Sequence, residues 1–598
     1  MNPLPSISIP NCLILLAAEG ETVSFTSFAH QVFCQKQSSH HVWEISSCDA
    51  MAFADMLQRR NRKQLSTAAA LLALTAFSSY VFLLNLAPVY GSGPSHIFHG
   101  YGVAIVAAAG WFLKDRVQQL SARRAVYLLP VMAFWIPTIQ YLLFQQSSEL
   151  GNPTGPIVTT AVAFYPFLLL SVACAGKLMQ SGLNLDRHGD LVMEHAPLLA
   201  SYVVYSVGEH LAKAFTSVTL GVTFFLSRTG LQLLIAGLYS AVVPSKLLVL
   251  AIPSIIFSFT SNVHLPLGST TAAMDAAIRT EGFALVARQD SSTGYISVLD
   301  NLDDGFRVMR CDHSLLGGQW NKVYRNYKPD VKDPIYAVFT MLEAVRLVEP
   351  DNGVPRVDAG SKALVIGLGV GTTPAALITH GIETTVVEID PIVHKFALEY
   401  FDLPANHIAA IEDATVFVRR AQESSTAQYD YIVHDVFTGG AEPVDLFTIE
   451  FLQGLNALLK DDGVIAINYA GDVSQYPAAL TVRTIEAVFP SCRIFREEVG
   501  NDETADFTNM VIFCKKSSSP LTFRDPVPGD YLRSKFRETY LMPKHEVDPS
   551  AFMSVSEGGR AVLRAKETGK LHRWQDQGAL QHWEIMRKVL PAAVWENW

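Results

Sequence analysis

Between Leu65 and Phe259 the chain presents one stretch after another with almost no charge, and this constrains its fold more than any other feature. Leu65 to Leu86 supplies about the 20 uncharged residues that a bilayer-spanning helix needs. Similar stretches follow at His96 to Leu113, Ala125 to Phe144 and Pro156 to Ala175. Pro130 and Pro137 fall inside the third, which membrane helices tolerate because neighbouring groups re-satisfy the freed carbonyls. Buried helices of a soluble core would keep a polar stripe, which these stretches lack. Residues 65–262 are therefore expected to form a transmembrane helical domain of six to eight spans, with the lipid bilayer as a partner.

Loop charge orients such a domain. Arg59, Arg60, Arg62 and Lys63 precede the first stretch and place the N-terminus in the cytosol. The loop Pro88 to Ser95 is uncharged, and the next carries Lys114, Arg116, Arg123 and Arg124. The loop near Glu149 lacks basic residues, and the following segment has Lys177 and Arg187. From Ala196 the pattern blurs: Glu209, His210 and Lys213 interrupt one apolar region, and Pro244 with Lys246 splits another. An even number of spans is expected, so that the second half shares the cytosol with the N-terminus. Glu209 and His210 are either functional intramembrane groups or residues at a helix end.

The average composition, 49% hydrophobic and 17% charged, hides two unlike halves, since residues 280–598 are of ordinary globular make-up. A net charge of −10 and a pI near 5.9 give no basic field for phosphates, so nucleic acid is not expected as a partner. Seven dispersed cysteines without a CxxC pair read as free thiols in a reducing compartment, and no metal site is expected. Residues 1–64 read as a poorly ordered tail: the apolar run Cys12 to Ala18 is too short to span, and no basic segment precedes it.

After Val263 the period changes. Phe283 to Ala287, Tyr295 to Leu299 and Phe306 to Cys311 are short strand-like runs between turn signals, so a small antiparallel sheet is expected over 280–330. A helix pattern runs from Pro334 to Val348. An apolar strand from Ala363 then enters Gly367-Leu-Gly369-Val-Gly371 and a helix over Thr372 to Thr379. Glycines permit a tight turn and close approach of a ligand to the backbone. The next strand ends in Glu388, about 20 residues on, where an acid can hold ribose hydroxyls. Ile408 to Ile411 ends in Glu412, Asp413 and Ala414, Tyr431 to His434 ends in Asp435, and Val464 to Asn468 is a fifth strand. All these polar residues lie at the carboxyl ends of consecutive strands, where open α/β sheets bind ligands. The loop has no GK[ST] ending, which disfavours an NTPase, and Pro374 stands where a dinucleotide fold places its third glycine. A nucleoside sulfonium donor fits better: S-adenosylmethionine or its decarboxylated form. The expected fold is a multi-helical transmembrane domain followed by an α/β Rossmann-like domain of the class I methyltransferase type over 331–520, with a C-terminal tail over 521–598.

From residue 281 to about 515 these motifs resemble the spermidine synthase (polyamine aminopropyltransferase) family, related to class I S-adenosylmethionine-dependent methyltransferases. The carriers are Ser-Thr-Gly-Tyr295-Ile-Ser-Val-Leu-Asp, Asp333-Pro-Ile-Tyr336, the glycine loop, Val-Val-Glu388-Ile-Asp390 and Tyr429-Asp-Tyr-Ile-Val-His-Asp435. The stretch Asp435 to Phe447 is similar to the family's gate-keeping loop, and membrane spans ahead of the domain resemble a membrane-fused branch. The resemblance implies that Gly367, Gly369, Gly371 and Ala414 line the donor, Glu388 holds its ribose and Asp413 its adenine. Asp435 is then the catalytic carboxylate that takes the acceptor's proton, and Tyr336 and Thr438 border the acceptor. Family members often form homodimers through the N-terminal sheet.

Three departures stand against that pattern. Val370 occupies the position of the acid that holds the donor's aminopropyl ammonium, Thr438 that of a diamine-binding acid, and Ile296 that of a glutamine. The leading expectation is a membrane-anchored enzyme moving an aminopropyl or other alkyl group to a small amine, its catalytic domain in the cytosol. Two alternatives remain: an S-adenosylmethionine-dependent methyltransferase, and a non-catalytic transporter or sensor with a nucleoside-binding regulatory domain.

Overall fold

The computed structural model of the chain describes residues 59–121, 124–183, 185, 189–322, 327–424, 429–436, 443–497, 507–553 and 561–598. Residues 1–58, Thr438 and the cysteines at 12, 34 and 48 lie outside them.

The apolar half is a helical bundle. Its helices are α1 (Arg59–Tyr90), α2 (Ser92–Ser121), α3 (Leu129–Phe144), α4 (Thr154–Ala163), α5 (Tyr165–Leu183), α6 (Asp190–Thr219), α7 (Arg228–Val242) and α8 (Ile252–Thr260). Four segments among the described residues are long and apolar enough to cross a membrane, by length and composition: Asn61–Tyr90, Ser92–Gln119, Ala125–Phe144 and Tyr165–Leu183. The stretch Pro156 to Ala175, read as one span, is two helices that break at Phe164, two residues ahead of Pro166, which has no N–H to continue the first helix.

Side-chain contacts fix the direction of each helix. Gln140 of α3 donates to Phe82 O, and Phe215 of α6 meets Phe77, so both run parallel to α1. Trp135 donates to Leu250 O and Thr138 pairs with Ser254, so α8 and its 3-10 lead-in Lys246–Ala251 run parallel to α3. Conversely, α7 opposes α1, with Thr229 on Asn85, Gln232 on Ser78 and Tyr239 on Thr75. Gly182 of α5 lies against Leu65, and Tyr165 against Gly102, so α5 opposes α1 and runs with α2. Counting α4 and α5 as one broken pass, the described helices traverse the bundle seven times. The start of α1 and the second half of the chain thus lie at opposite ends of the bundle, whereas an even number of passes would set them at the same end. Glu209 and His210 sit in the middle of α6, Glu209 paired with Lys213 at 3.3 Å and His210 on Ser206 O at 2.9 Å.

The second half begins with helix Gly268–Arg279 and an antiparallel sheet in the order β1 (Phe283–Asp290), β2 (Tyr295–Asn301), β3 (Phe306–Cys311), β4 (Ser314–Trp320). Buried Arg228 at the start of α7 pairs with Asp290 at 3.1 Å and Asp312 at 2.8 Å. Fully buried Arg310 donates to Pro88 O at the end of α1 and to Val594 O. A buried guanidinium is tolerated only with its donors engaged, by carboxylates at Arg228 and by backbone carbonyls at Arg310, so the two bolt bundle and sheet in one arrangement.

An eight-stranded sheet follows in the order β12-β10-β11-β9-β8-β5-β6-β7. β5 (Lys362–Ile366), β6 (Glu383–Glu388), β7 (Ile408–Ile411), β8 (Tyr429–His434) and β9 (Leu459–Asp472) are parallel neighbours. β10 (Ser491–Arg496), β11 (Phe507–Lys515) and β12 (His545–Val547) extend it antiparallel. Apolar clusters cover both faces, one centred on Val365, Val386 and Val433, the other on Leu364, Ile432 and Ile467. Strand order reverses at β5, between β6 and β8, which is where doubly wound sheets open a crevice.

One expectation changes here. The register of β10 and β11 sets Cys492 opposite Cys514, and the two form a disulfide, so they are not free thiols. A spacing of 22 residues carries no motif; only strand pairing brings the sulfurs together. The C-terminal tail packs on both halves of the chain. β12 joins the main sheet, and helix His572–Val589 leads to Trp595 and Trp598, both buried. Trp598 stacks on His264 at 4.5 Å, and Glu596 accepts from Ser147 of the bundle at 2.7 Å.

Candidate active site

The crevice is a cavity of about 1100 Å³ running from the glycine turn to the C-terminal helix. Gly367 and Gly369 form its floor, with φ of +85° and +54°. A Cβ on Gly367 would lie 2.0 Å from Asp435 O, and one on Gly369 2.5 Å from Leu316 O. Both positions therefore need glycine for conformation and for space. Gly371 does not line the cavity; it caps helix Thr372–Thr379 at φ +85°, against Leu403.

Glu388 ends β6 with one carboxylate oxygen aimed at the glycine turn and the other at the backbone just past its own strand. Oε2 accepts from Leu368 N at 3.0 Å and Oε1 from Asp390 N at 2.8 Å. Burial outweighs those hydrogen bonds and pushes its carboxyl up to about 7. Asp390 is not part of the site: it caps helix Pro391–Tyr400 and receives Ser291 of the small sheet. Asp413 and Ala414 line the cavity beyond β7, with Asp413 accepting from Thr415 N at 2.7 Å.

Asp435, just past β8, stands at the centre. It is half-buried and lines the cavity; burial raises its carboxyl to about 6, and a 2.8 Å hydrogen bond from Asn468 Nδ2 lowers it in part. A carboxyl so placed is ionised near neutrality yet close enough in pKa to receive a proton. Tyr336 lines the cavity ahead of a short helix whose first amides, Ala337 N and Val338 N, donate to Glu497.

The structure adds a wall that sequence motifs did not indicate. Leu315 and Leu316 of β4, Phe339, and Ala579, His582, Trp583 and Met586 of the C-terminal helix also line the cavity, as do Gly91 and Ser92 where α2 begins. The signal available was the aromatic-rich, amphipathic run from His572, but nothing local said which surface it covers. Val370 is buried against Gly317 and presents methyl groups, not charge, beside the glycine turn. Tyr295 is buried against Trp598 and is not among the residues lining the cavity. No group of three or more potential metal ligands occurs among the described residues.

Glycines that admit a close ligand, a buried acid one strand over and a proton-accepting carboxylate beside them fit an adenosyl sulfonium donor, and they define a transferase. The spermine/spermidine synthase domain family matches residues 353–492. An N-terminal histidine N-methyltransferase of Emericella nidulans is 66% identical over 555 residues, covering 91% of this chain and all of that protein. A polyamine aminopropyltransferase of Vibrio vulnificus is 34% identical over 145 residues, 23% of this chain and 48% of that one. A solved structure of a probable spermidine synthase from Corynebacterium glutamicum overlaps 47% of this chain and 96% of its own at 15% identity, with a TM-score of 0.36. The chain belongs to the family of the Emericella histidine methyltransferase, and it is a transferase whose donor is S-adenosylmethionine. The expected aminopropyl transfer to a small amine is thereby overturned. The match across a whole methyltransferase outweighs one confined to a shared donor domain, and uncharged Val370 agrees with it.

Proposed function

We propose that the chain methylates a nitrogen of an N-terminal histidine on a protein or peptide acceptor. The observation that carries this is the 66% identity to the Emericella enzyme over its full length. S-adenosylmethionine, when bound, supplies an electrophilic sulfonium methyl group. The glycine turn and Glu388 hold its nucleoside end, and Asp435 accepts the proton that the acceptor loses as a nitrogen lone pair takes the methyl, from the same nitrogen of an amine or from the other ring nitrogen of an imidazole. The wall formed by Phe339, His582, Trp583 and Met586 receives the histidine-bearing chain end and excludes water. Purified full-length protein is expected to methylate a histidine-headed peptide from S-adenosylmethionine, and to transfer no aminopropyl group from decarboxylated donor to a diamine. Aminopropyl transfer without methyl transfer would overturn the reading.

We propose further that the bundle spans a membrane with the catalytic domain on the non-cytosolic face. Arg62, Lys63, Lys114, Arg116, Lys177 and Lys246 all fall at the end of the bundle opposite the catalytic domain; at the near end, residues 91–95 and 145–156 carry no lysine or arginine, and Arg228 is buried in its ion pairs. Basic residues mark the cytosolic side, and the Cys492–Cys514 disulfide suits an oxidising compartment. This replaces the cytosolic placement that an even number of spans implied. In sealed vesicles from expressing cells the catalytic domain is expected to resist protease until detergent is added; digestion of intact vesicles would refute it.

A further inference from the structure

Asn468 has an unusual hydrogen-bond balance. It lies on β9, whose register pairs His434 with Ile467, so Asn468 stands beside Asp435 at the carboxyl end of the sheet. It lines the cavity, yet the residue is only 8% exposed. A carboxylate can only accept, so the amide turns its Nδ2 toward Asp435, at 2.8 Å. That leaves Oδ1 buried and without a partner. Buried amide oxygens are nearly always satisfied, and an unsatisfied one beside a reacting group calls for a partner that arrives with the substrate.

We infer that Asn468 is a positioning residue: its amide N–H holds the Asp435 carboxylate, and its carbonyl accepts a hydrogen bond from an N–H of the acceptor. The inference rests on the reading of Asp435 as the group that takes the proton. Asp435 and Asn468 together then present two acceptor oxygens to a nitrogen that still carries hydrogen. Such a pair favours an amine acceptor, whose N–H groups can meet both oxygens; a neutral imidazole, with one N–H, can meet one of them. A carboxylate or thioether acceptor would bring another lone pair against Oδ1 and leave it unpaired. The amide also fixes the rotamer of Asp435, so the carboxylate faces the acceptor and not the glycine turn behind it.

Other titratable groups around Asp435 do not take this role. His434, the preceding residue, turns its Nε2 to Leu446 O at 3.0 Å, and burial holds it neutral down to about 4. Glu388 on β6 is engaged by backbone amides. Glu412, Asp413, Asp445 and Glu450 line the cavity from the neighbouring loops and helices, and Asp312, Tyr336 and His582 lie at the acceptor end. Among the described residues, Asn468 is the side chain that bonds Asp435.

The test uses the full-length protein, a histidine-headed peptide and two variants, Asn468→Ala and the near-isosteric Asn468→Asp. Loss of the hydrogen bond to the ionised carboxylate raises the pKa of Asp435. The acid limb of kcat/KM is therefore expected to move to higher pH in both variants, further in Asn468→Asp, where a second carboxylate adds repulsion. Turnover at neutral pH is expected to fall roughly 10- to 100-fold, the range of a hydrogen bond to a charged group. Binding of S-adenosylhomocysteine should stay within about 2-fold, well inside the scatter of a neutral hydrogen bond. Its own pH dependence reports Glu388 and keeps that titration separate. An unmoved acid limb with full turnover in both variants overturns the inference. So does a loss of turnover that tracks a loss of S-adenosylhomocysteine binding, which marks a structural role. If Asp435→Asn keeps full activity, it is the assignment of Asp435 that fails, whatever the Asn468 variants do.

Discussion

The two ends of the cavity are built in different ways. The donor end comes from consecutive strand ends of one sheet: the turn after β5, Glu388 after β6, Asp413 after β7. The acceptor end gathers β4, Phe339, a helix more than 200 residues further along the chain and the turn between α1 and α2. A sheet imposes its own spacing, so the donor end follows from local patterns. The acceptor end exists only because Arg228, Arg310 and the buried C-terminal tryptophans lock the bundle against the catalytic domain. In the proposed function, donor recognition is thus a property of one domain, whereas acceptor recognition depends on the whole chain.

The largest expected effect lies at the boundary between the two ends. Asp435→Asn should lower turnover roughly 100- to 10,000-fold, the usual range for a general base, with S-adenosylhomocysteine affinity unchanged by calorimetry. Because the base must be ionised, a carboxyl raised to about 6 means that activity fades as pH falls below 6, not below the ordinary value of 3.8. A profile flat down to pH 4 would break the assignment. Next in size, Gly367→Ala drives a Cβ against Asp435 O and should weaken donor binding by roughly 5- to 150-fold, as overpacking of about 1–3 kcal/mol would. Unaltered affinity would show that the turn is not the donor's seat. The smallest effect belongs to the acceptor rim. Ile585 and Val589 are 38% and 43% exposed at the cavity edge. Replacing both by Ala should raise the acceptor KM by about 3- to 10-fold, through lost apolar contact, and leave donor binding alone. A matching loss of donor affinity would erase the distinction between the ends.

What the sequence reveals follows the same division. Helix Thr372–Thr379 and strand Ile408–Ile411 stand where the glycine and apolar patterns put them. β4 carries Gly317 and Gly318 in its middle, weak strand formers needed because Val370 and Ile335 crowd them, and its pattern does not announce a strand. Asn468 was legible only as the end of a strand; its role beside Asp435 needs the register of β8 against β9. The disulfide and the seven-fold traverse of the bundle are likewise matters of pairing and direction, which composition does not encode.

The central claim is that one cavity brings an S-adenosylmethionine methyl group to a chain-terminal histidine. It is tested most directly by supplying the full-length protein with methyl-labelled S-adenosylmethionine and two peptides, identical except for one extra residue ahead of the histidine. Fragment mass spectra are expected to place the label on the first residue of the histidine-headed peptide and nowhere on the extended one. Equal labelling of both, or of neither while a diamine is modified, would contradict the account.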